Sequence, residues 1–316
     1  MRSFFSDHLK AFALLVIKLA LATTFAPSTE AVGAACCGGG FAVPSLIVGD
    51  EKAIFSSEFS FANVTTEVSS QGIWQNRTTP ESLYSVKLQG AHIFKDRFQI
   101  GGSIPVLQRA RGHESSSGLG DIGLNFGYEI LPEWSYSSWR PRGAAFLSLT
   151  IPTGRSIQEA DAAYLLDARG RGFWALGIGA SFTKVFSTRS FGQWDTVATL
   201  EGHRSFPKDV RNQTLQGTLH PGWGASLAAG IGYNLGEARI GAMLTNIYED
   251  AVRTTGSISS DGALARYVTA AITASYMLDD EWAVSLTASD QTLLGAPTNT
   301  SLSKGVAFSL QRKISR

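Results

Sequence analysis

Residues 223–235 read WGASLAAGIGYNL. Every second residue is apolar: Trp223, Ala225, Leu227, Ala229, Ile231, Tyr233 and Leu235. Those between them, Gly224, Ser226, Ala228, Gly230, Gly232 and Asn234, are small or polar. A period of two places the two sets on opposite faces of a strand, one apolar and one not. The pattern recurs at 268–278, where Val268, Ala270, Ile272, Ala274, Tyr276 and Leu278 share a face. At 122–130, Ile122, Leu124, Phe126, Tyr128 and Ile130 oppose Gly123, Asn125, Gly127 and Glu129. Such segments match a tilted membrane strand of about 9–11 residues better than the roughly five or six of a typical soluble strand.

Extended along the chain, this reading predicts strands near 52–63, 82–94, 97–107, 119–130, 142–152, 172–185, 192–204, 222–235, 238–247, 265–278, 281–290 and 303–313. The connections sort into two kinds. Lys95–Asp96, Ser187–Ser190, Gly236–Glu237 and Asp279–Asp280 are short, whereas 64–81, 108–118, 153–171, 205–221, 248–264 and 291–302 are long and rich in Ser, Thr, Gly, Asn and charge. Only 131–141 (LPEWSYSSWRP) is long on the short side, where its aromatics and prolines suggest an ordered flap. Long and short connections alternating on opposite sides are the signature of an up-and-down barrel in a membrane. Trp174, Phe186, Trp194, Trp223, Tyr233, Tyr267, Tyr276 and Trp282 fall near predicted strand ends, as in the aromatic girdles of such barrels. The segment 156–168 (SIQEADAAYLLDA) reads as a short helix within its loop.

Composition bounds the rest. The chain has 316 residues, a formal net charge of +1, 17% charged residues and 33 glycines. That balance gives no basic face for nucleic acid. Residues 1–35 read as an export signal: Arg2 and Lys10 precede the apolar run Ala11–Ala26, broken by Lys18, and small residues follow at Ala31, Gly33, Ala34 and Ala35. An N-terminal anchor helix is the alternative. Cys36 and Cys37 are neighbours and cannot close a useful disulfide loop. A lipidated Cys36 would normally follow a Leu-like residue three positions earlier, and Gly33 stands there. Residues 36–50 are expected to be a flexible segment and 51–316 the barrel. Beyond residue 35 no stretch approaches the roughly 20 apolar residues of a membrane helix, so a spanning structure must be a closed barrel, which satisfies its backbone internally.

Candidate lining residues lie on the polar faces: Lys87 and Gln89 beside Ser85, then Asp121, Asn125 and Glu129, and further on Asp195, Glu201, His203 and Arg239. Their signs are mixed, which argues against strong ion selectivity, since that needs rings of one charge. Glu201 and His203 share a face and could pair, and Asp121 is expected to meet a basic residue. The histidines lack a serine and carboxylate in any evident triad, and glycine pairs such as Gly118–Gly120 precede no helix, so neither catalysis nor phosphate binding is expected. No metal-ligand spacing or cofactor motif is present.

Four segments carry a family resemblance: GLGDIGLNFGY at 118–128, TIPTGR at 150–155, LGIGASFTK at 176–184 and WDTVATLEGHRSF at 194–206. Their order resembles the outer-membrane barrel family linked to the meta pathway of phenol degradation. The likeness covers about 90 residues, and it implies a barrel that passes small aromatic or other hydrophobic molecules. The chain departs from many outer-membrane barrels in ending Leu310–Arg316 without a terminal aromatic residue.

The expectation is therefore an all-β, transmembrane, up-and-down antiparallel barrel of about twelve strands in a Gram-negative outer membrane, termini periplasmic. Its function would be passive uptake of small solutes, hydrophobic or aromatic ones favoured by the resemblance. The alternatives are a barrel that presents long loops for surface interaction, or a lumen-plugged enzyme. Partners would be outer-membrane lipid and a small-molecule solute. The sequence sets no oligomeric state.

Overall fold

The computed structural model describes residues 44–47, 51–132, 137, 139–187, 192–211, 215–257 and 259–315. Sixteen strands follow one another: β1 (Glu51–Val68), β2 (Trp74–Phe94), β3 (Phe98–Arg111), β4 (Glu114–Leu119), β5 (Ile122–Leu131), β6 (Arg142–Ile151), β7 (Ala175–Ser187), β8 (Gln193–Ser205), β9 (Lys208–Arg211), β10 (Gln216–His220), β11 (Trp223–Leu235), β12 (Ala238–Glu249), β13 (Arg253–Gly256), β14 (Ala265–Met277), β15 (Trp282–Asp290) and β16 (Thr300–Ser315). Strands β9, β10 and β13 form a small separate sheet. The others close into one antiparallel ring in which β16 returns to pair with β1. Because β4 and β5 both pair with β3, they are two halves of one wall position, and the barrel has twelve.

The strand alternation resolves into an apolar exterior and a polar interior. Exposed apolar side chains recur around the ring: Phe59 on β1, Leu88 on β2, Ile104 on β3, Ile178 on β7, Ile240 on β12, Ile272 on β14 and Phe308 on β16. Buried polar residues occupy the opposite faces, among them Gln99, Arg109, Asn125, Ser148, Thr199, Glu201 and Thr245. A soluble protein buries its large apolar residues and exposes its charges. This arrangement is the reverse, and it suits a wall with lipid outside. Trp174, Trp194, Trp223 and Tyr276 stand exposed at strand ends, where the girdles were expected.

The predicted strands are present, and the corrections concern what lies between them. The connections 64–81 and 108–118 are mostly hairpin, not loop: β1 and β2 run on to a turn at 69–73, and β3 and β4 to a turn at 112–113. Beyond the lipid both faces of a strand meet water, so alternation fades although the ladder continues. Parts of 205–221 and 248–264 are likewise ordered as β9, β10 and β13, over a core of Phe173, Val210, Leu215 and Leu219. The expected helix at 156–168 is only a 3₁₀ turn at Ala163–Leu165. Tyr164 and Leu165 have φ of 55° and 56°, which no right-handed helix accommodates. Of the expected flexible segment 36–50, residues 44–47 are described and are packed inside the barrel. The expected signal, Cys36, Cys37 and most of the predicted flap at 131–141 lie outside the described residues.

Candidate functional site

The interior is narrowed from both ends. At the long-loop end β6 stops at Ile151, and the chain turns inward before rejoining the wall at β7. The motifs that carry the family resemblance build this joint. The Thr153 hydroxyl donates to the Gly120 carbonyl, and Asp121 accepts backbone N–H groups from Gly154 (2.9 Å), Arg171 (2.6 Å) and Gly172 (3.1 Å). Asp121 thus takes its hydrogen bonds from backbone donors, one of them the N–H of Arg171, whose guanidinium also attracts its charge. The entry and exit of the loop cross so closely that a Cβ on Gly154 would lie 2.9 Å from the Gly170 nitrogen.

A second tie lies deeper. Arg109, inward on β3, donates to the carbonyls of Leu165 (2.9 Å) and Ala168 (2.6 Å) and pairs with Glu81 on β2 at 2.6 Å. Glu81 also meets Arg77 at 2.6 Å, and both its partners are buried. This pairing stabilises the one strained turn of the loop, since two successive non-glycine residues at positive φ cost of order 1–3 kcal/mol each. Arg171 closes the far side against Glu249 (2.7 Å) and His203 (2.7 Å).

At the loop's outer edge, Lys208 pairs with Glu159 at 2.6 Å and Arg155 with Asp167 at 2.9 Å. Burial pushes the Glu159 carboxyl up, but Lys208 and Ser156 outweigh it, leaving its pKa below the ordinary value. Asp167 is lowered too: burial opposes the shift, and the N–H groups of Asp161 and Ala162, with Arg155, prevail.

The short-turn end is closed differently. Residues 44–47 lie against inward positions of β2, β3 and β5. The Ile47 N–H donates to Gln99 at 2.7 Å, and the Ser45 hydroxyl to Gln89 at 3.3 Å. With its amide turned to satisfy both ends, Asn125 accepts from the Ser45 N–H at 3.2 Å. Gly101 leaves space for this segment, since a Cβ there would collide with the Ser45 carbonyl oxygen.

Between the closures lies a cavity of about 360 Å³, lined by Glu58, Lys87, Asp121 and Thr150 of the wall and by Arg169 and Arg171 of the loop.

The eight candidate lining residues do not form one site. Lys87 and Asp121 face the cavity; Gln89 and Asn125 hold the N-terminal segment. Glu129 is buried against Arg142, and Arg239 pairs with Asp195 at 2.6 Å. Glu201 and His203 are both buried, but Glu201 accepts from Ser148 while His203 turns to Arg171 and Glu249. Arg109, Glu81, Arg171 and Glu249 were missed. Arg109 continues the inward face of Pro105 and Leu107, so extending the alternation two residues would have found it.

Compared with known structures, the chain is similar to an outer membrane channel from Pseudomonas putida F1, with a TM-score of 0.66 at 14% identity over 87% of this chain and 99% of that one. The likeness is one of fold. Looser matches are the TodX monoaromatic hydrocarbon channel (TM-score 0.42, 9% identity, 86% of this chain and 93% of that one) and the NanC porin (0.41, 6%, 83% and 100%). No protein-family model and no curated protein matches the sequence. The link to phenol degradation therefore rests on the quoted motifs alone.

Proposed function

We propose that this protein is a passive outer-membrane channel for small solutes, with its termini and short turns on the periplasmic side. The observation that carries the reading is a closed wall, apolar outside and polar inside, around an interior cavity entered past two inward segments. Twelve strands fall between the side-chain-filled interior of about eight and the open water channel of sixteen or more. In such a barrel the inward segments set the bore. Outer-membrane lipid would cover the exterior, and solute would diffuse down its gradient through the lumen.

Single-channel recording of the folded protein in a planar bilayer tests this. Small, steady steps are expected, well below those of an open porin. A silent bilayer from protein whose gel mobility shifts on heating, the sign of a folded barrel, would overturn the aqueous route. A second reading has one observation in its favour. The sheet of β9, β10 and β13 has its own core beyond the barrel rim, as a surface for an external partner would.

A further inference from the structure

Two facing charges in the lumen cavity stand outside the hydrogen-bond and ion-pair networks of the described residues. Lys87 on β2 and Glu58 on β1 stand directly opposite each other in the register and both line the cavity. Neither makes a hydrogen bond or ion pair among the described residues. The other charges there are mostly committed. Asp121 accepts three backbone N–H groups, and Arg171 pairs with Glu249. Among the described residues the Arg169 guanidinium donates to the neutral Ser116 hydroxyl, and its Nε is buried without a hydrogen bond. Among the described residues, Lys87 and Arg169 on one side and Glu58 and Asp121 on the other thus line the cavity without an ion pair, and of the two cations Lys87 is the one with no hydrogen-bond partner. Lys87 is only half-buried, so its ammonium can donate a charge-assisted hydrogen bond to a bound anion.

The cavity also has an apolar side next to Lys87. Pro105 pairs with Lys87 in the β2–β3 register, Leu107 with Ser85, and Ala62 with Leu83 across β1 and β2. Inward positions two residues apart on a strand are separated by about 6.6 Å. A solute with an anionic head at Lys87 therefore needs a body roughly that long to lie on Leu107. The volume of about 360 Å³ suits such a molecule and sits within the usual range of small-molecule sites.

We propose that this chamber is a binding station for small amphipathic carboxylates, its head taken by the Lys87 ammonium and its ring or short chain laid on Pro105 and Leu107. The assignment rests on the channel reading and narrows its solute from hydrophobic molecules in general to acids that carry an apolar body.

Calorimetric titration of the folded protein in detergent, against a micelle blank, tests it independently of conduction. Benzoate and the neutral benzyl alcohol are the probes. Benzoate should bind tighter by about tenfold or more, the size of one charge-assisted hydrogen bond. Lys87→Met should erase that preference, Lys87→Arg should keep it, and Glu58→Gln should strengthen benzoate binding by removing a like charge. Equal binding of the two probes, or a Lys87→Met protein that still prefers benzoate, would overturn the proposal. So would weaker benzoate binding in Glu58→Gln. Heat-shifted gel mobility confirms that each variant is folded. Conductance without the benzoate preference defeats this assignment and leaves the channel standing; the preference in a silent barrel defeats the channel instead.

Discussion

At the long-loop end of the barrel the inward segment is held by ions; at the short-turn end it is held by neutral amides. Asp121, Arg109, Arg171 and Lys208 each join the loop 152–174 to the wall or to the sheet above it. Residues 44–47 meet Gln89, Gln99 and Asn125. Hydrogen bonds to charged groups contribute about 1.5–3 kcal/mol and neutral ones about 0.5–1.5. The difference marks the loop as a fixed part of the wall and the N-terminal segment as the closure that yields first.

The contrast is broken most severely at Arg109. Arg109→Ala takes one partner from the buried Glu81 and frees the carbonyls of Leu165 and Ala168, which hold a turn at positive φ. Removing one member of a buried charge network costs about 3–5 kcal/mol. We expect a loss of that size in denaturant unfolding from detergent, together with a larger single-channel conductance as the loop leaves the lumen. Unchanged conductance in the folded variant would mean that the loop does not set the bore.

A smaller effect is expected at the other end. Gly101→Ala places a methyl group where the Ser45 carbonyl lies, so residues 44–47 must move out. The bonds lost to Gln89, Gln99 and Asn125 are neutral, at about 1 kcal/mol each, so stability should fall by about 3 kcal/mol, below the middle of the range for Arg109→Ala. Conductance should nonetheless rise, because the segment leaves the lumen. A stability loss as large as that of Arg109→Ala would erase the distinction between the two closures.

The strands were legible because lipid imposes a strict rule: one face greasy, one face not, for as long as the wall crosses the membrane. WGASLAAGIGYNL obeys it throughout. The rule lapses where β1, β2 and β3 extend past the lipid, and there the hairpins have the polar composition of loops. It lapses also for the inward elements. The run SIQEADAAYLLDA has helical composition, yet its local preference yields to Arg109, which fixes two of its carbonyls. Asp121 lines the cavity, but its partners are backbone N–H groups at 154, 171 and 172, which no side-chain pattern encodes. The quiet residues 44–47 carry no pattern that announces a docking segment.

Acid should sharpen the comparison with the least effect. Only the loop end depends on carboxylates at its outer edge. Glu159 and Asp167 have pKa values lowered from 4.5 and 3.8, since their cationic and N–H partners outweigh burial. A carboxylate with a lowered folded-state pKa contributes its full stabilisation above the unfolded value, and loses it as pH falls through the folded one. The loop tie is therefore complete from neutral pH down to about 5 and weakens only below about 4. Conductance recorded across that range should stay level and then rise on the acid side, with Glu159→Gln giving part of the rise already at neutral pH. Residues 44–47, held by amides that do not titrate, should add nothing to the profile, so Gly101→Ala should shift its height and not its shape. A midpoint near 6 or 7 would instead remove Glu159 and Asp167 as the source of the gating proton.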